Sequence, residues 1–362
     1  MEIILSTCGT SILTNNTSRE LQLALTTCAN EKRIEDFPEN ERRMITEHIK
    51  KRKIEFAKFG VDKARNGSAE LNGILAYYDN QPANGASDTH YLLATDTWLC
   101  EATAEVVQDW LKRHGIRDIR IHRHPDLQTA DFGDFRSSLA DLVKWCAEEV
   151  YVQHSVHRRI IFNLSGGFKS ETGFLQLLGM FYADEIIYIF ERSGELLRIP
   201  RLPLEMMDEK AISDDLQDFR RASLGLSVTS SKTGIYWFED SGKYALTAWG
   251  ELVFEKHRTK LYREKLLPSP SKCLIFGKNF KKSCTERHDE INRKIDLLAK
   301  YMEEPTNPNP KTLDFKRLQN NHPRLPEANW ECDAWHDGAA KRIFCQRQGE
   351  TLTLLELHNA LH

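Results

Sequence analysis

The stretch from residue 159 to residue 181 most constrains how this chain folds. The apolar run 160–162 predicts a buried strand of a parallel sheet, and a helical pattern of apolar residues begins at 174. Between them lies the turn 163–169, Asn-Leu-Ser-Gly-Gly-Phe-Lys. Strand, glycine turn and helix in this order are typical of a nucleotide or phosphate site, because glycines admit a ligand close to the backbone and a helix start presents N–H groups to an anion. The alternative is a tight turn with a solvated lysine, since Gly-Gly turns are common.

Two further strand ends carry small polar residues. Residues 2–7 predict a first strand that runs into the loop Ser-Thr-Cys-Gly-Thr-Ser at 6–11, and the strand 89–95 ends in Thr95 and Asp96. The carboxyl ends of parallel strands lie at one edge of the sheet, so these loops are expected to meet there. The P-loop pattern and the G-x-G-x-x-G fingerprint are both missing, which disfavours an ordinary nucleoside triphosphate or dinucleotide site.

The composition excludes several classes of protein. The 362 residues leave room for two or three domains, and 50 Lys and Arg against 53 Asp and Glu give no overall nucleic-acid signature. The eight cysteines form no C-x-x-C pair, so we expect reduced thiols in a cytoplasmic protein, with no metal and no cofactor. We also expect no membrane association, because no apolar run is long enough to span a bilayer and the amino terminus predicts a strand instead of a signal peptide.

The order of elements predicts a mixed α/β protein in three parts. Alternating strands and helices over 1–205 predict a Rossmann-like parallel sheet with helices on both faces, including a charged helix at 38–65 and an amphipathic helix at 131–152. Residues 206–270 predict a helix that starts near Ser213, a strand from Gly234 with a turn at 241–242, and a second helix after Leu246. Pro268-Ser-Pro-Ser is expected to be a hinge. Residues 271–362 predict a strand, a helical pair and an antiparallel meander that begins with a strand at 313–318, which together form an α+β domain.

The loops at 6–11 and 163–169 resemble those of the CARF sensor domains of type III CRISPR systems, and the resemblance covers about 1–205. It implies that a cyclic oligoadenylate, with four adenylates favoured, binds across the two-fold axis of a homodimer. In related domains a loop serine and a lysine promote slow cleavage of the ring, and Ser11 and Lys169 occupy the matching positions. The implied ligand-binding residues are Cys8, Gly9, Thr10, Ser11, Thr95, Asp96, Asn163, Ser165, Gly166, Gly167, Phe168 and Lys169.

In the middle segment, the strand and turn at 234–246 are followed by Leu-Thr-Ala-Trp-Gly-Glu-Leu-Val-Phe at 246–254, and this order resembles a winged helix-turn-helix module. Its candidate recognition helix, 214–224, is acidic at its start and has only Arg220 and Arg221 as adjacent basic residues. A DNA-reading helix would be more basic, so a linker or dimerisation role is favoured over DNA binding. The basic run 256–265 is either a solvated face or a contact with ribosomal RNA or protein.

The carboxyl-terminal strands at 340–358 resemble those of the RelE/HigB superfamily of messenger-RNA interferases, and the resemblance covers about 272–362. Arg342 and His358 match the family's arginine and histidine. The preceding strand, 330–336, lacks the lysine pair of RelE, which leaves the general acid and base unassigned. Strand alternation places Lys341 and Arg342 on opposite faces. The candidate catalytic residues are Arg342, His358, His336, Lys341, Arg347, Lys316 and Arg324, with His322 considered beside them.

Taken together, these resemblances imply a homodimeric, metal-independent endoribonuclease of type III CRISPR defence. A cyclic oligoadenylate would activate it, and it would cleave messenger RNA on the ribosome. A ligand-responsive winged-helix transcription regulator is the main alternative, and a toxin-like fold kept as an interaction module is another. Arg317 and His322 also fit the Arg-x4-His pattern of HEPN ribonucleases, but they lie in a strand and loop where that family has a helix.

Overall fold

The computed structural model describes residues 1–15, 17–128, 130–190, 194–201, 209–306, 309–319, 322–335 and 340–359. Within these ranges, the side chains at 132, 155, 169, 170 and 209–211 lie outside the description. The chain forms two compact units, Met1–Glu205 and Met206–His362. The mixed α/β class predicted from the sequence is confirmed.

The first unit is built on a six-stranded sheet with the order β3-β2-β1-β4-β5-β6. Four neighbouring pairs are parallel, and β6 closes one edge antiparallel to β5. From β1 the chain adds β2 and β3 on one side of the sheet, and it then adds β4, β5 and β6 on the other side. At this switch point, the connections that leave β1 and β4 diverge, and a crevice forms outside the carboxyl ends of the two strands. The strands are β1 (Glu2–Thr7), β2 (Thr89–Ala94), β3 (Asp118–Arg123), β4 (Arg159–Asn163), β5 (Glu185–Ile189) and β6 (Leu196–Pro200).

Helices flank this sheet and bury its central strands. They are α1 (Ser11–Thr14), α2 (Arg19–Thr27), α3 (Glu39–Phe56), α4 (Val61–Gly67), α5 (Ala69–Tyr77), α6 (Trp98–Arg113), α7 (Phe132–Trp145) and α8 (Lys169–Tyr182). The single helix expected over 38–65 is divided into α3 and α4, and the chain turns so that Gly67 packs against the ring of Phe56. The helix expected over 131–152 leaves α-helical geometry after Trp145 and continues as a π turn and a 3-10 turn.

The second unit begins with helices and a small hairpin. These elements are α9 (Glu209–Asp214), α10 (Leu216–Ser223), β7 (Trp237–Asp240), β8 (Lys243–Leu246) and α11 (Ala248–Glu264). Phe219, Trp237 and Phe254 form the centre of their shared core. Thr247 begins α11 by accepting a hydrogen bond from the N–H of Gly250, as expected of an N-cap threonine.

A five-stranded sheet with the order β10-β11-β12-β13-β9 completes the second unit. Its strands pair antiparallel except for β9, which lies parallel to β13. The strand expected over 313–318 is limited to 316–317, because Asp314 has a φ of +39° and interrupts the extended chain. The elements are β9 (Leu274–Phe276), α12 (Phe280–Ser283), α13 (His288–Glu303), β10 (Lys316–Arg317), β11 (Trp330–Trp335), β12 (Lys341–Gln348) and β13 (Thr351–Asn359).

A buried ion pair joins the two halves of this unit. The Arg220 side chain on α10 is 1% exposed and bonds the Asp296 carboxylate on α13 and the carbonyl of Pro268. Arg221 bonds Glu303 on α13 at 2.8 Å and the carbonyl of Pro270 at 2.6 Å. The segment expected to be a hinge is therefore fixed by two arginines.

No helix among the described residues is both long and apolar enough to cross a membrane.

Candidate functional site

The loops after β1 and β4 meet at the crevice between these strands. Ser6 and Asn163 are register partners at the strand ends, and the Thr7 hydroxyl donates to the carbonyl of Gly166 at 2.7 Å. The backbones approach so closely that a Cβ on Gly9 would lie 3.0 Å from the nitrogen of Gly167. Gly167 has a φ of +89°, a conformation that favours glycine. The structure thus brings together the two glycine loops identified in the sequence.

Glu70, at the start of α5, is the residue that holds the two loops together. It is fully buried, and its carboxylate accepts hydrogen bonds from the N–H of Gly9 at 2.7 Å and from the hydroxyl of Ser68 at 2.6 Å. The Ser11 hydroxyl donates to the same carboxylate at 3.4 Å and accepts from the N–H of Ala69 at 3.3 Å. Burial raises the pKa of Glu70, and these donors oppose that effect by stabilising the ionised form.

Asn163 and Ser165 direct their polar groups into the protein. The Asn163 amide donates to the Ser6 hydroxyl and to the carbonyl of Glu70, both at 3.1 Å, and the residue is fully buried. The Ser165 hydroxyl donates to the Asn163 side chain at 2.7 Å and accepts from the N–H of Ile189 at 3.2 Å. These hydrogen bonds fix the conformation of the turn from its inner side, whereas the sequence suggested direct contact of both side chains with a ligand.

Three other residues predicted to bind the ligand also have internal roles. Cys8 lies in the core, and burial raises the pKa of its thiol well above the usual value. The hydroxyl of Thr95 contacts that of Thr97 at 3.1 Å. The Asp96 carboxylate pairs with Lys32 at 2.8 Å and Arg123 at 2.9 Å. Partial burial opposes ionisation of Asp96, but hydrogen bonds led by that of Lys32 lower its pKa below the usual range.

The partly exposed surface of the crevice consists of loop backbone and a helix start. Thr10, Ser11, Gly166, Gly167 and Phe168 are partly exposed. Phe168 is the N-cap of the 14-residue helix α8, whose first N–H groups lie beyond the glycine turn. The side chain of Lys169 lies outside the described residues. This arrangement of backbone donors suits an anion such as a phosphodiester.

Glu171, in the first turn of α8, lies beneath the glycine turn. The residue is 1% exposed, and neither carboxylate oxygen has a hydrogen-bond partner within standard geometry among the described residues. Burial raises its pKa to about 8, partly offset by the nearby backbone N–H of Phe168. With this pKa, the Glu171 carboxyl group is mostly neutral at pH 7.

One comparison with known proteins concerns this unit. Residues 65–202 match the family model of a CRISPR-associated protein, Cas_APE2256. The matched segment contains Glu70, the glycine turn and α8, and it covers less than half of the chain. The segment is thus similar to a CRISPR-associated family, and the match does not extend to the second unit.

A second candidate site lies on one face of the sheet in the second unit. Asp333 on β11 is the register partner of Arg342 on β12, and Arg342 is the register partner of His358 on β13. Side chains of residues directly opposite each other have Cβ atoms about 5 Å apart. A carboxylate, a guanidinium and an imidazole therefore lie in one row across three adjacent strands.

Arg342 is surrounded by carboxylates. Its Nε lies 3.2 Å from Glu331, and its Nη2 lies 3.1 Å from Asp333 and forms an ion pair with Asp314. Lys316 pairs with the same Asp314 carboxylate at 2.7 Å. Two cations thus face three carboxylates, and the cluster has a net negative charge.

Two histidines lie beside this row. The ring of His322 is 5.3 Å from that of His358 and 4.4 Å from that of Phe344, measured between centroids. The Nδ1 of His322 accepts the N–H of Arg324 at 3.2 Å, so its proton is on Nε2. Burial lowers the pKa of His322, and the neighbouring His358 acts in the same direction.

The other candidate catalytic residues are not gathered at this row. Lys341 pairs with Glu286 at 2.9 Å and lies over Trp335, and Arg347 lies over Trp330; both are on the opposite face of β12. Lys316 reaches Arg342 only through Asp314. The Arg324 residue is exposed, and its backbone N–H orients His322. His336 lies outside the described residues.

Sequence reasoning missed the acidic residues of both sites. Glu331 and Asp333 alternate with the core residue Cys332, and this alternation placed them on the face of Arg342. Glu70 and Glu171 had no such signal, because their importance depends on contacts between distant parts of the chain. Among the described residues, no group of three or more His, Cys, Asp or Glu is arranged to hold a metal ion.

Proposed function

We propose that this chain is a CRISPR-associated endoribonuclease of the RelE type that a cyclic oligoadenylate activates and that cleaves messenger RNA on the ribosome. The row Asp333–Arg342–His358 is the observation that carries the nuclease assignment. Cleavage of RNA by its own 2′-hydroxyl needs a base, a positive charge at the phosphate and an acid, and this row contains one of each.

Each residue of the row has one role in the proposed reaction. The Asp333 carboxylate accepts the proton of the 2′-hydroxyl, and that oxygen attacks the adjacent phosphorus. The guanidinium of Arg342 stabilises the negative charge that develops on the phosphate oxygens. Protonated His358 donates its proton to the departing 5′-oxygen. The products are a 2′,3′-cyclic phosphate and a 5′-hydroxyl, and no metal takes part.

Asp333 is a better candidate for the base than Glu331. Its side chain is 27% exposed and is opposite Arg342 in the register, whereas that of Glu331 is 11% exposed. A base must reach the hydroxyl of a bound nucleotide, so the more accessible carboxylate is favoured. This assignment supplies the general base and acid that the sequence alone left open.

The local charge supports a requirement for the ribosome. Two cations against three carboxylates give the free protein little attraction for a phosphodiester. A ribosome that holds the transcript in position would supply the binding energy and orientation that this surface lacks.

The crevice between β1 and β4 is the proposed activator site. Backbone donors of the glycine loops and of α8 would bind phosphates of the ring, and a two-fold dimer would use each loop twice. Ser11 and Lys169 remain our candidates for slow cleavage of the ring, with Glu70 orienting the Ser11 hydroxyl. Incubation of purified protein with cyclic tetra-adenylate for several hours tests this activity, and an intact ring would rule it out.

The alternative function as a transcription regulator has less support. Arg220 and Arg221, the paired basic residues of the candidate recognition helix, form ion pairs with Asp296 and Glu303 on α13. These two residues therefore hold the second unit together instead of offering positive charge to DNA.

The test is a translation reaction with purified full-length protein, with and without cyclic tetra-adenylate. We expect messenger cleavage only when ligand and ribosomes are both present. Arg342→Ala is expected to lower the cleavage rate at least 100-fold while ligand affinity stays unchanged. Lys282→Ala, which removes an exposed cation from α12, is the control for net charge. Normal cleavage by Arg342→Ala would overturn the assignment, and ligand-dependent binding of DNA without cleavage would favour the alternative.

A further inference from the structure

We propose that Asp314 is an internal substitute for the RNA phosphate and holds the nuclease site in a latent state. This inference concerns regulation of the proposed nuclease and rests on that function. Arg342 is the group that would bind the scissile phosphate, and in this structure Asp314 occupies one of its donors. A carboxylate and a phosphodiester compete for a guanidinium because both accept its N–H groups in the same plane.

The three carboxylates at Arg342 differ in their freedom to move away. Glu331 and Asp333 belong to β11, and its pairing with β12 holds both side chains on the face of Arg342. Asp314 lies in the connection between α13 and β10 and belongs to neither element. Its side chain is 40% exposed, whereas those of Glu331 and Asp333 are 11% and 27% exposed.

Rotation of the Asp314 side chain alone removes its carboxylate from Arg342, while the backbone carbonyl of Asp314 stays 3.5 Å from Nη2 of that arginine. The flanking residues, Leu313 and Phe315, are buried in the core, and the carbonyl of Leu313 accepts the N–H of Asp333 at 3.0 Å. The backbone is thus fixed on both sides of Asp314. Rotation of its side chain toward solvent would expose Arg342 and would leave the core unchanged.

The backbone conformation of Asp314 indicates that this placement has a cost. A φ of +39° is uncommon for a residue other than glycine, although Asp and Asn tolerate it better than most residues. Lys316 and Arg342 both pair with the carboxylate, and Lys316 is the main cause of the lowered pKa of Asp314. The carboxylate is therefore ionised when RNA arrives and competes fully for Arg342.

The prediction is that removing this carboxylate strengthens RNA binding and activates the nuclease. The cluster changes from two cations and three carboxylates to two of each. We expect Asp314→Asn to bind a fluorescein-labelled, fully 2′-O-methylated RNA oligonucleotide roughly fivefold more tightly than the wild type in fluorescence anisotropy at low salt. Cleavage in the translation reaction without activator should rise by a similar factor.

The variants distinguish the effect of removing the Asp314 charge from the effect of changing the backbone conformation at position 314. Asn tolerates the backbone of position 314, and Asp314→Gly, which relieves it entirely, should give the same gain. Glu286→Gln is the matched control, because it removes one negative charge from the ion pair of Lys341 on the opposite face of the same strand. We expect less than a twofold effect from it. Adding Arg342→Ala to Asp314→Asn should abolish the gain.

The outcomes distinguish two roles of Asp314, competition with RNA for Arg342 or orientation of the Arg342 side chain. Tighter binding that requires Arg342 supports the proposal. Unchanged or weaker binding by Asp314→Asn, or an equal gain from Glu286→Gln, overturns it and makes Asp314 a residue that only orients Arg342. The 2′-O-methylated RNA cannot be cleaved, so the binding measurement tests the competition between Asp314 and RNA for Arg342 independently of cleavage. A wild type that fails to cleave messenger RNA would refute the proposed function but would leave this test valid.

Discussion

The buried acid of Glu171 gives a prediction whose size follows from the structure. Burial raises its pKa from 4.5 to about 8, so the folded protein keeps the proton that the unfolded chain loses near pH 4.5. Folding stability from this group is therefore fully present below pH 4.5 and is lost as the pH rises toward 8. At about 1.4 kcal/mol for each pH unit, the loss reaches roughly 5 kcal/mol by pH 8.

The Glu171→Gln variant should remove this pH dependence. An amide has nearly the shape of the neutral acid and does not ionise, so we expect the two proteins to be equally stable at pH 5 within about 1 kcal/mol. At pH 8.5 the variant should be the more stable one. For a unit of about 200 residues, roughly 5 kcal/mol corresponds to a Tm difference of about 10 °C or more.

Thermal unfolding of the full-length protein between pH 5 and pH 9 measures this difference. Amide hydrogen exchange in α8 assigns the change to the first unit. Glu149→Gln alters an exposed glutamate of the same unit and is expected to leave the pH profile unchanged. A difference between the wild type and Glu171→Gln that stays constant from pH 5 to pH 9 would show that the Glu171 carboxylate is not buried as described.

Two further substitutions test the contacts that organise the two units. Glu70→Gln replaces the carboxylate that accepts a hydrogen bond from the N–H of Gly9, and hydrogen bonds to a charged acceptor contribute about 1.5–3 kcal/mol each. We therefore expect binding of cyclic tetra-adenylate to weaken at least tenfold in calorimetric titration. Unchanged affinity would show that this carboxylate does not shape the ligand loops. Arg220→Ala should destabilise the second unit by about 3–5 kcal/mol in urea unfolding, because Asp296 is left buried without its partner. A loss below about 1 kcal/mol would contradict the buried ion pair.

Local pattern was sufficient to predict the elements that position the sites. The apolar run 160–162 with its glycine turn predicted β4 and the start of α8, and the alternation along 341–347 predicted which side chains of β12 share a face. Hydrophobic period and turn residues are properties of neighbouring positions, so they can be read without the fold.

Errors arose where contacts between distant residues decide the outcome. The extended pattern at 313–318 predicted a full strand, but the ion pairs of Asp314 with Arg342 and Lys316 accompany a backbone turn that shortens it. The ligand contacts of Asn163 and Ser165 stay a prediction, and the sequence did not indicate their hydrogen bonds to Ser6 and Ile189.

The sequence by itself determined the order of strands and helices and the two loops that meet at the β1–β4 crevice, because spacing and turn chemistry act locally. Only the tertiary structure decided which charges face each other. Glu70 joins loops that are 61 and 96 residues away from it in the chain, at Gly9 and Gly166, and Arg342 meets three carboxylates from two separate segments, the loop at Asp314 and β11. Electrostatic and hydrogen-bond partners depend on distance in space, and folding alone brings these groups within reach.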